Sequence, residues 1–354
     1  MTDRNATFNR AGFIGLGSAL AGTAAAGGSL LSTVAAAAAA GSGKSLTDLK
    51  FLFIVKTVNS DYWQTCIAGG KAAQAQLGLK ALQFTGANSE ANIQGQIALV
   101  EDALAKKPDF LVLAPTSANA LDATIDKVYK AGIKTILIDS GANTESFDAF
   151  LATDNHAGGV LAAKTLAEAI KKKTGAAAGQ VAYITFLSGV GSLTLRDQGF
   201  LDGIKAYPQI TVVGHQDAGG DQSQKPISVV ADLLTRFPKL AGVFADNLYT
   251  LEGAATAFRE NHADPKKISL VGFDPSTKLV ADLKAGSVDG IILQDPYQMG
   301  FGGVMYGIVA AAGINVPKFL NTGVTAATPE NADSALTQAL LNPMQLRHFG
   351  FGTA

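Results

Sequence analysis

Cysteine and charged residues are scarce in this chain of 354 residues, and basic residues do not outnumber acidic ones. Cys66 is the single cysteine, so an intramolecular disulfide and a thiolate metal site are excluded. Because it falls in an apolar helical stretch, residues 63–76, we expect it to be buried. The 28 basic residues are balanced by 29 acidic ones, which excludes the basic footprint of a nucleic-acid-binding protein.

Catalytic and metal-binding patterns are also missing. The four histidines, His156, His215, His262 and His348, are widely separated and lack metal-ligand spacing. After residue 43 there is no G-x-S-x-G nucleophile elbow and no complete dinucleotide-binding glycine motif. We therefore expect a binding protein with no catalytic residues, no metal and no cofactor, and not an enzyme.

The longest stretch without charge lies near the start of the chain. Arg10 precedes it, residues 11–43 carry no charged side chain, and the stretch ends in small residues. This pattern predicts a secretory signal over residues 1–43, cleaved near residue 40, and hence a periplasmic protein. A membrane anchor is the alternative, since the run is long enough to span a bilayer, but its many Ala, Gly and Ser residues gain little from lipid. Residues 9–14 resemble a twin-arginine signal with Ala11 in place of the second arginine, which leaves the Tat and Sec routes both open.

After residue 46, short apolar runs alternate with helix-length segments. Apolar runs without polar alternation are typical of strands covered on both faces, and their alternation with helices predicts parallel, doubly wound sheets. A chain of this length is suited to two such domains. The predicted strands are 51–55, 79–84, 110–114, 135–138, 181–186, 210–214, 242–245, 268–273 and 290–293; the clearest helices are 92–106, 121–129, 158–172 and 251–261.

The two halves of the chain echo each other. Residues 105–139 and 235–274 both read as helix, proline turn, strand, helix, strand and a final acidic residue. This repeat predicts two similar lobes, with Asp139 and Asp274 in corresponding places.

Polar and aromatic residues follow the predicted strands at their carboxyl ends, where open α/β sheets bind ligands. Carboxylates and amides accept hydroxyl protons, Lys and Arg donate to oxygens, and aromatic faces cover C–H surfaces, so the set suits a polyhydroxylated ligand. The predicted ligand-binding residues are Lys56, Asn59, Tyr62, Trp63, Asp139, Ser140, Arg196, Asn247, Asp274 and Gln294.

Several of these residues have a structural alternative. Asp274 and Asn247 could each cap a following helix, and Asp246 could take over the role of Asn247. Arg196 could project from a solvated helix face. Tyr62 and Trp63 could be core aromatics, although neighbours on a helix point about 100° apart, which argues against both being buried in one lobe.

Five short motifs, in their order and spacing, carry a family resemblance. They are residues 271–274 (VGFD), 292–300 (ILQDPYQMG), 153–155 (TDN), 196–200 (RDQGF) and 244–247 (FADN). With them the chain resembles the ribose-binding-like periplasmic sugar-binding proteins of the type I fold, which are substrate-binding proteins of ABC transporters.

The resemblance implies two Rossmann-like lobes joined by a three-segment hinge, with crossings near residues 152–154, 294 and 321–324. Lobe 1 would comprise residues 47–153 and 295–323, and lobe 2 residues 154–294 and 324–354. It implies that Asp274 binds sugar hydroxyls, that Arg196, Asn247 and Gln294 add hydrogen bonds, and that Tyr62 and Trp63 pack on the sugar face. Asp139 matches the acidic residue that ends the fourth strand.

Four departures from the ribose-binding pattern argue against ribose itself: Ser140 replaces an arginine, Ala114 an asparagine, Gly220 an aromatic residue and Lys56 a small hydroxyl residue. Lys56 with Asp139 and Ser140 is more similar to the rhamnose- and autoinducer-2-binding relatives. We therefore predict a solute-binding protein of an ABC importer that takes a monosaccharide or related polyol.

Alternatives remain open at this point: an autoinducer-2 or rhamnose-like receptor, or a sugar-sensing regulator core, which would need a helix-turn-helix where the uncharged segment stands. The expected partners are a small carbohydrate-like ligand and an ABC permease, with a chemoreceptor as a further candidate and no nucleic acid. We expect a monomer. The chain after Thr325 is longer than the ribose-binding pattern.

Overall fold

Twelve strands in residues 43–342, the part of the chain that the computed structural model describes, form two six-stranded sheets. The first sheet contains β1 (Lys50–Thr57), β2 (Lys80–Ala87), β3 (Phe110–Leu113), β4 (Lys134–Ile138), β5 (Ala149–Ala152) and β11 (Phe319–Asn321). The second contains β6 (Gly179–Thr185), β7 (Ile210–Asp217), β8 (Leu240–Ala245), β9 (Ser269–Phe273), β10 (Gly290–Leu293) and β12 (Thr325–Ala327).

Helices alternate with the strands along most of the chain. They are α1 (Asp61–Leu77), α2 (Ile93–Lys106), α3 (Asp122–Lys130), α4 (Asn155–Thr174), α5 (Gly191–Ile204), α6 (Gln224–Arg236), α7 (Leu248–Glu260), α8 (Thr277–Ala285), α9 (Pro296–Ala311) and α10 (Ala335–Leu341), after a 3-10 turn at Leu46–Asp48. Side-chain caps begin several of them, and glycines in the left-handed region end α1, α4 and α8.

The two sheets repeat one strand order. The first runs β11-β5-β4-β3-β1-β2 and the second β12-β10-β9-β8-β6-β7. All pairs are parallel except β10 with β12. The predicted fold class, two α/β lobes with parallel doubly wound sheets, is confirmed.

Burial of the strands explains why apolar runs located them. Every residue of β3 and β9 is buried, and only the first residue of β1 is exposed. All nine predicted runs overlap a strand. Strands β5, β11 and β12, which have three or four residues each, were not predicted. Cys66 is fully buried, as expected.

The chain passes between the sheets three times: between β5 and α4, between β10 and α9, and between β11 and β12. Two of these passages are bonded side by side, because the Thr322 N–H donates to the Ala152 carbonyl at 2.9 Å and the Asp154 N–H to Asn321 Oδ1 at 3.3 Å. Within residues 43–342, these three connections form the hinge between the lobes. The lobe boundaries drawn from the sequence stay a prediction.

The end of the described chain belongs to the second lobe. Strand β12 pairs with β10, and Ala332, Leu340 and Leu341 join the apolar core under the second sheet. The predicted export signal, apart from Gly43, and residues 343–354 lie outside the described residues. Within residues 43–342, no helix has the length and apolar character needed to cross a bilayer.

Candidate functional site

A small cavity of about 30 Å³ lies between the two lobes. Residues from both lobes line it, and most are polar or aromatic: Lys56, Ser60, Tyr62, Trp63, Glu90, Asp139, Ser192, Leu193, Arg196, Asn247, Leu248, Tyr249, Asp274 and Gln294. A larger cavity of about 540 Å³ adjoins it and shares Tyr62, Asp274 and Gln294. Among the described residues, buried charged groups from both halves of the chain meet only in the smaller one, so we describe it as the candidate site.

Eight of the ten residues predicted from the sequence line this cavity: Lys56, Tyr62, Trp63, Asp139, Arg196, Asn247, Asp274 and Gln294. Two do not. Asn59 is exposed and donates to the Asn88 carbonyl at 3.1 Å, so its side chain is turned away. Ser140 is buried behind the cavity wall. Whether the eight residues contact a ligand remains a prediction.

The two acidic residues from the repeat occupy equivalent positions. Asp139 follows β4 and Asp274 follows β9, the third strand in each sheet order. Both residues are in the left-handed region, with φ of 64° and 68°. Each backbone N–H donates to the neighbouring strand, Asp139 to Leu151 and Asp274 to Ile292. Non-glycine residues seldom adopt this conformation, and it is concentrated at functional sites.

In the first lobe, Lys56 and Asp139 form a buried ion pair. Lys56 Nζ is 3.0 Å from Asp139 Oδ2, and both side chains are under 5% exposed. The same Nζ donates to Ser140 Oγ at 2.8 Å, and Tyr62 Oη donates to Asp139 Oδ1 at 2.6 Å. The lysine that ends the apolar strand therefore finds a carboxylate and a hydroxyl rather than water.

This network controls the protonation of its members. Burial raises the pKa of Asp139, but Lys56 and Arg196 together with the Tyr62 hydrogen bond outweigh it, so the pKa of Asp139 is below its usual value. Burial, Asp139 and Asp274 raise the pKa of Tyr62 well above its usual value. Asp139 is thus an acceptor and Tyr62 a donor at neutral pH.

Trp63 combines core packing with a place at the cavity. It is 2% exposed, belongs to the apolar core of the first lobe and meets Tyr62 edge to face at 4.9 Å between ring centroids. Lys56 Nζ lies 5.4 Å from the centre of its ring. Tyr62 packs against this core but is only partly buried, so the two rings are not both buried in one lobe, as the helix geometry indicated.

In the second lobe, Arg196 is buried and donates two hydrogen bonds within that lobe. Its Nε donates to Asn155 Oδ1 at 2.9 Å, its Nη1 donates to the Asp246 carbonyl at 2.8 Å, and its guanidinium lies 4.1 Å from the Phe273 ring centre. The alternative of a solvated arginine is therefore wrong. Helix α4 packs tightly on α5: a β-carbon added to Gly159 would lie only 2.0 Å from the Arg196 carbonyl oxygen.

Asp274 lies between a cation and an amide. Arg196 Nη1 is 3.8 Å from Asp274 Oδ2, and Gln294 Nε2 donates to Asp274 Oδ1 at 2.8 Å. Burial raises the pKa of Asp274 to about 6, although Arg196 and Gln294 act to lower it. Ser276, not Asp274, caps α8, so the capping alternative for Asp274 is wrong. Gln294 Oε1 is buried without a partner among the described residues and can accept a hydroxyl proton.

Asn247 does cap a helix. Its Oδ1 accepts from the Thr250 N–H at 3.0 Å, and the residue also lines the cavity, so its amide nitrogen is the group that can donate. Asp246 does not replace it there: its carboxylate accepts from the Phe186 N–H and from Thr250 Oγ1 inside the lobe. Burial and Asp197 raise the pKa of Asp246 well above its usual value.

Direct bonds join the lobes around the cavity. Ser140 Oγ of the first lobe and Ser192 Oγ of the second are 2.8 Å apart, and the Ala118 N–H donates to the Gly189 carbonyl at 3.1 Å. The arrangement is therefore closed, and a ligand larger than a few water molecules requires the lobes to separate before it enters.

Glu90 and Tyr249 line the cavity but were not predicted. Glu90 lies in the loop after β2, whose carboxyl end the sequence reasoning passed over, like that of β7, and it is 7% exposed. Tyr249 comes two residues after Asn247, in the first turn of α7. Applying the strand-end rule to β2 would have pointed to the Glu90 loop, whereas nothing in the local sequence marked Tyr249.

Comparison with known proteins agrees with this architecture. The family model described as periplasmic binding protein domain matches residues 51–314. A carbohydrate transporter solute-binding protein from Agrobacterium radiobacter, solved with D-arabinose, is 39% identical, with a TM-score of 0.81 over 84% of this chain and 100% of that one.

Two further relatives are similar over most of their length. An ABC transporter solute-binding protein from Agrobacterium vitis, solved with D-fucose, is 32% identical, with a TM-score of 0.77 over 82% of this chain and 99% of that one. The ribose import binding protein of Haemophilus influenzae is 28% identical over 251 residues, 71% of this chain and 82% of that protein. The family match extends from β1 to α9, and the resemblance drawn from the sequence is confirmed: the chain belongs to the periplasmic binding protein family.

Proposed function

We propose that this protein is an extracytoplasmic solute-binding protein of an ABC importer and that it binds a monosaccharide or a related polyol between its lobes. The observation that carries the proposal is the convergence of both lobes on one cavity. Lys56, Tyr62 and Asp139 come from the first lobe, and Arg196 and Asp274 from the second. A ligand held by both sets stabilises the closed state, which is the state a transporter can distinguish from the open one.

The chemistry of the lining favours a ligand with several hydroxyl groups. Asp139, Asp274 and the free Gln294 Oε1 accept hydroxyl protons, while the amide nitrogen of Asn247 donates. Tyr62 and Trp63 offer aromatic surface to ring C–H groups. The relatives solved with D-arabinose and D-fucose make a pentose or a deoxyhexose the first choice. We propose the eight cavity-lining residues predicted from the sequence as the ligand contacts.

A second candidate ligand class is favoured by one local arrangement. Lys56 bonds both Asp139 and Ser140, and these three residues carry the similarity to rhamnose- and autoinducer-2-binding proteins. A rhamnose-like deoxyhexose or the autoinducer furanose would present its hydroxyls to the same pair. Both compounds belong to the same class of small, neutral, hydroxylated ligands.

The setting of the protein follows from the family. Its relatives are import binding proteins, so we propose that residues 1–43 direct export, that the mature protein works in the periplasm as a monomer and that an ABC permease receives its ligand. A chemoreceptor is a further candidate partner. Neither an enzymatic activity nor a cofactor forms part of the proposal.

A ligand panel tests the proposal directly. Thermal unfolding and calorimetric titration of the purified protein would use D-arabinose, D-fucose, D-allose, D-ribose, L-rhamnose and autoinducer-2. A ligand that binds only the folded state raises the Tm. At a hundredfold excess of ligand over Kd, the free energy of unfolding increases by about 2.7 kcal/mol. We expect at least one of these compounds to bind with a micromolar or lower Kd. Absence of binding by all of them at millimolar concentration would contradict the proposal.

A further inference from the structure

Glu90 is a buried acidic residue on the cavity that the predicted contacts did not include. It lies in the loop between β2 and α2, its side chain reaches the space between the lobes, and the residue is 7% exposed. A carboxylate is seldom buried in a protein, because removing it from water is costly unless its oxygens accept hydrogen bonds. Its contacts therefore need an explanation.

Both ends of Glu90 are held in place. Thr116 Oγ1 donates to its backbone carbonyl, and the Thr116 N–H in turn donates to Gln96 Oε1 at 2.7 Å. The side chain accepts from Trp63 Nε1 through Oε1 at 2.8 Å. The carboxylate is thus oriented before any ligand arrives, and a single neutral donor occupies only one of its acceptor positions.

The charges around the cavity are unequal. Lys56 and Arg196 are the cations on the lining, against the carboxylates of Glu90, Asp139 and Asp274. Lys56 is paired with Asp139 at 3.0 Å, and Arg196 lies 3.8 Å from Asp274. Within residues 43–342, Glu90 has no cation within 4 Å, so its carboxylate is the surplus negative charge of the site.

From this arrangement we propose that Glu90 determines specificity: it accepts a hydrogen bond from a ligand hydroxyl and excludes sugars that carry a carboxylate or phosphate group. The inference rests on the proposed function and adds the class of ligand, neutral and polyhydroxylated. A hydroxyl donor satisfies the free oxygen, whereas an anion would place two like charges together in a site shielded from bulk water.

Three probes separate the two parts of this proposal. D-fucose and D-galacturonate share one ring configuration and differ at carbon 6, where the first has a methyl group and the second a carboxylate; D-arabinose is the second neutral probe. Burial raises the pKa of Glu90, so titrations are run at pH 8 to keep the carboxyl ionised. Wild-type protein should bind at least one neutral sugar and D-galacturonate at least a hundredfold more weakly.

Three variants distinguish charge from position. Glu90→Gln keeps an oxygen for Trp63 Nε1 and loses the charge, Glu90→Asp keeps the charge on a shorter side chain, and Glu101→Gln, on the exposed face of α2, is the matched control. We expect Glu90→Gln to weaken the neutral sugar about tenfold and to reduce the neutral-to-anion preference by a similar factor. Glu90→Asp should retain the preference, and Glu101→Gln should behave as wild type. Emission from the single tryptophan reports whether Trp63 keeps its environment.

Each remaining outcome has a definite meaning. Unchanged affinities and preference in Glu90→Gln would overturn the inference and leave Glu90 as a support for Trp63. Equal wild-type affinity for D-fucose and D-galacturonate would also overturn it. Failure of the wild type to bind any neutral sugar, here and in the wider panel, would instead contradict the proposed function itself.

Discussion

At the scale of single residues, the site holds its charges out of water and pairs two of its three carboxylates with cations. Lys56 with Asp139 and Arg196 with Asp274 place one cation and one carboxylate in each lobe. Removing one partner of a buried pair leaves an uncompensated charge, which is more damaging than removing both. In the first lobe, the charges needed to recognise hydroxyl groups are therefore also part of the stability of the fold.

The ion pair of the first lobe can be tested by a double-variant series. Lys56→Met leaves Asp139 buried beside Ser140 without its cation, and we expect it to reduce the free energy of unfolding by about 3–5 kcal/mol. The double variant Lys56→Met with Asp139→Asn should recover much of that loss. Urea unfolding followed by circular dichroism measures both.

A surface pair provides the control for this series. Lys80 lies 3.6 Å from Asp48 with both side chains more than half exposed, so Lys80→Met should change stability by less than about 0.5 kcal/mol. A Lys56→Met protein as stable as the wild type would refute the role assigned to the pair.

Asp274 should make stability depend on pH. Its pKa of about 6 lies above the ordinary 3.8, so the folded state holds this proton more tightly than the unfolded chain does. The stability from this group is full below about pH 4 and is lost as pH rises through 6. Asp274→Asn cannot ionise, so the wild type should lose on the order of 3 kcal/mol relative to the variant between pH 4 and pH 8.

Urea unfolding of both proteins across that range measures the difference. Asp197 and Asp246 make the same pH-dependent contribution to the stability of both proteins, so their contributions cancel. A difference that does not vary with pH would contradict the assignment. The same variant should bind the cognate sugar about thirtyfold more weakly or worse in calorimetry, since it loses a charged acceptor in the cavity. Binding at wild-type affinity would place Asp274 outside the ligand contacts.

At the scale of elements, close helix packing positions the binding side chains. Helix α5 carries Arg196, and it lies so near α4 that β-carbons on Gly159 and Gly199 would each approach the opposite backbone to 2.0 Å. Helices α1 and α9 are packed equally closely, with Gly69 and Gly300 at the contact. Glycine is required at these positions because any side chain would separate the two helices.

Gly159→Ala is therefore expected to displace α5 and with it Arg196. We expect a loss of about 1–3 kcal/mol in the free energy of unfolding, as in other overpacked interiors, and weaker ligand binding. Val160→Ala, at the neighbouring and 38% exposed position, is the matched control and should behave as wild type. Chemical unfolding and calorimetric titration measure the two effects, and equal behaviour of both variants would show that α5 is free to move.

At the scale of the whole molecule, small residues let the lobes meet on the side away from the hinge. Ala118 bonds Gly189 through the backbone, and a β-carbon on Gly220 would lie 2.7 Å from that of Ala91. Closure thus depends on the ligand and also on close contact between the edges of the two lobes, which we call the rims: Ala91 and Ala118 on the first lobe, Gly189 and Gly220 on the second. The affinity for a ligand then includes the free energy of closing the lobes.

Ala91→Leu should act as a wedge between the rims without touching the cavity, which Ala91 does not line. We expect a larger radius of gyration by X-ray scattering in the presence of ligand, and about three- to tenfold weaker binding, because the competent closed state becomes less populated. Ala131→Leu, at the exposed end of α3, tests for a general effect of added apolar surface. The same scattering curve and affinity for Ala91→Leu and wild type would rule out a role for rim contact.

Local sequence determined the lobes' architecture and the strand ends. An apolar run and the polar residue that ends it are neighbours in the chain, so Lys56, Asp139 and Asp274 could be found by reading along it. The repeat of helix, strand and acidic residue likewise predicted two lobes with equivalent carboxylates. These features depend on spacing within a few dozen residues, where pattern and structure correspond closely.

Tertiary structure alone decided where the other polar side chains face. Asn59 turns outward, Ser140 lies between Lys56 and Ser192, and Glu90 is brought to the cavity by contacts with Trp63 and Thr116. The bond between Lys56 and Ser140 joins residues 84 positions apart. Such contacts depend on which distant segments pack together, because a polar side chain follows its nearest partner in space and not its neighbours in sequence.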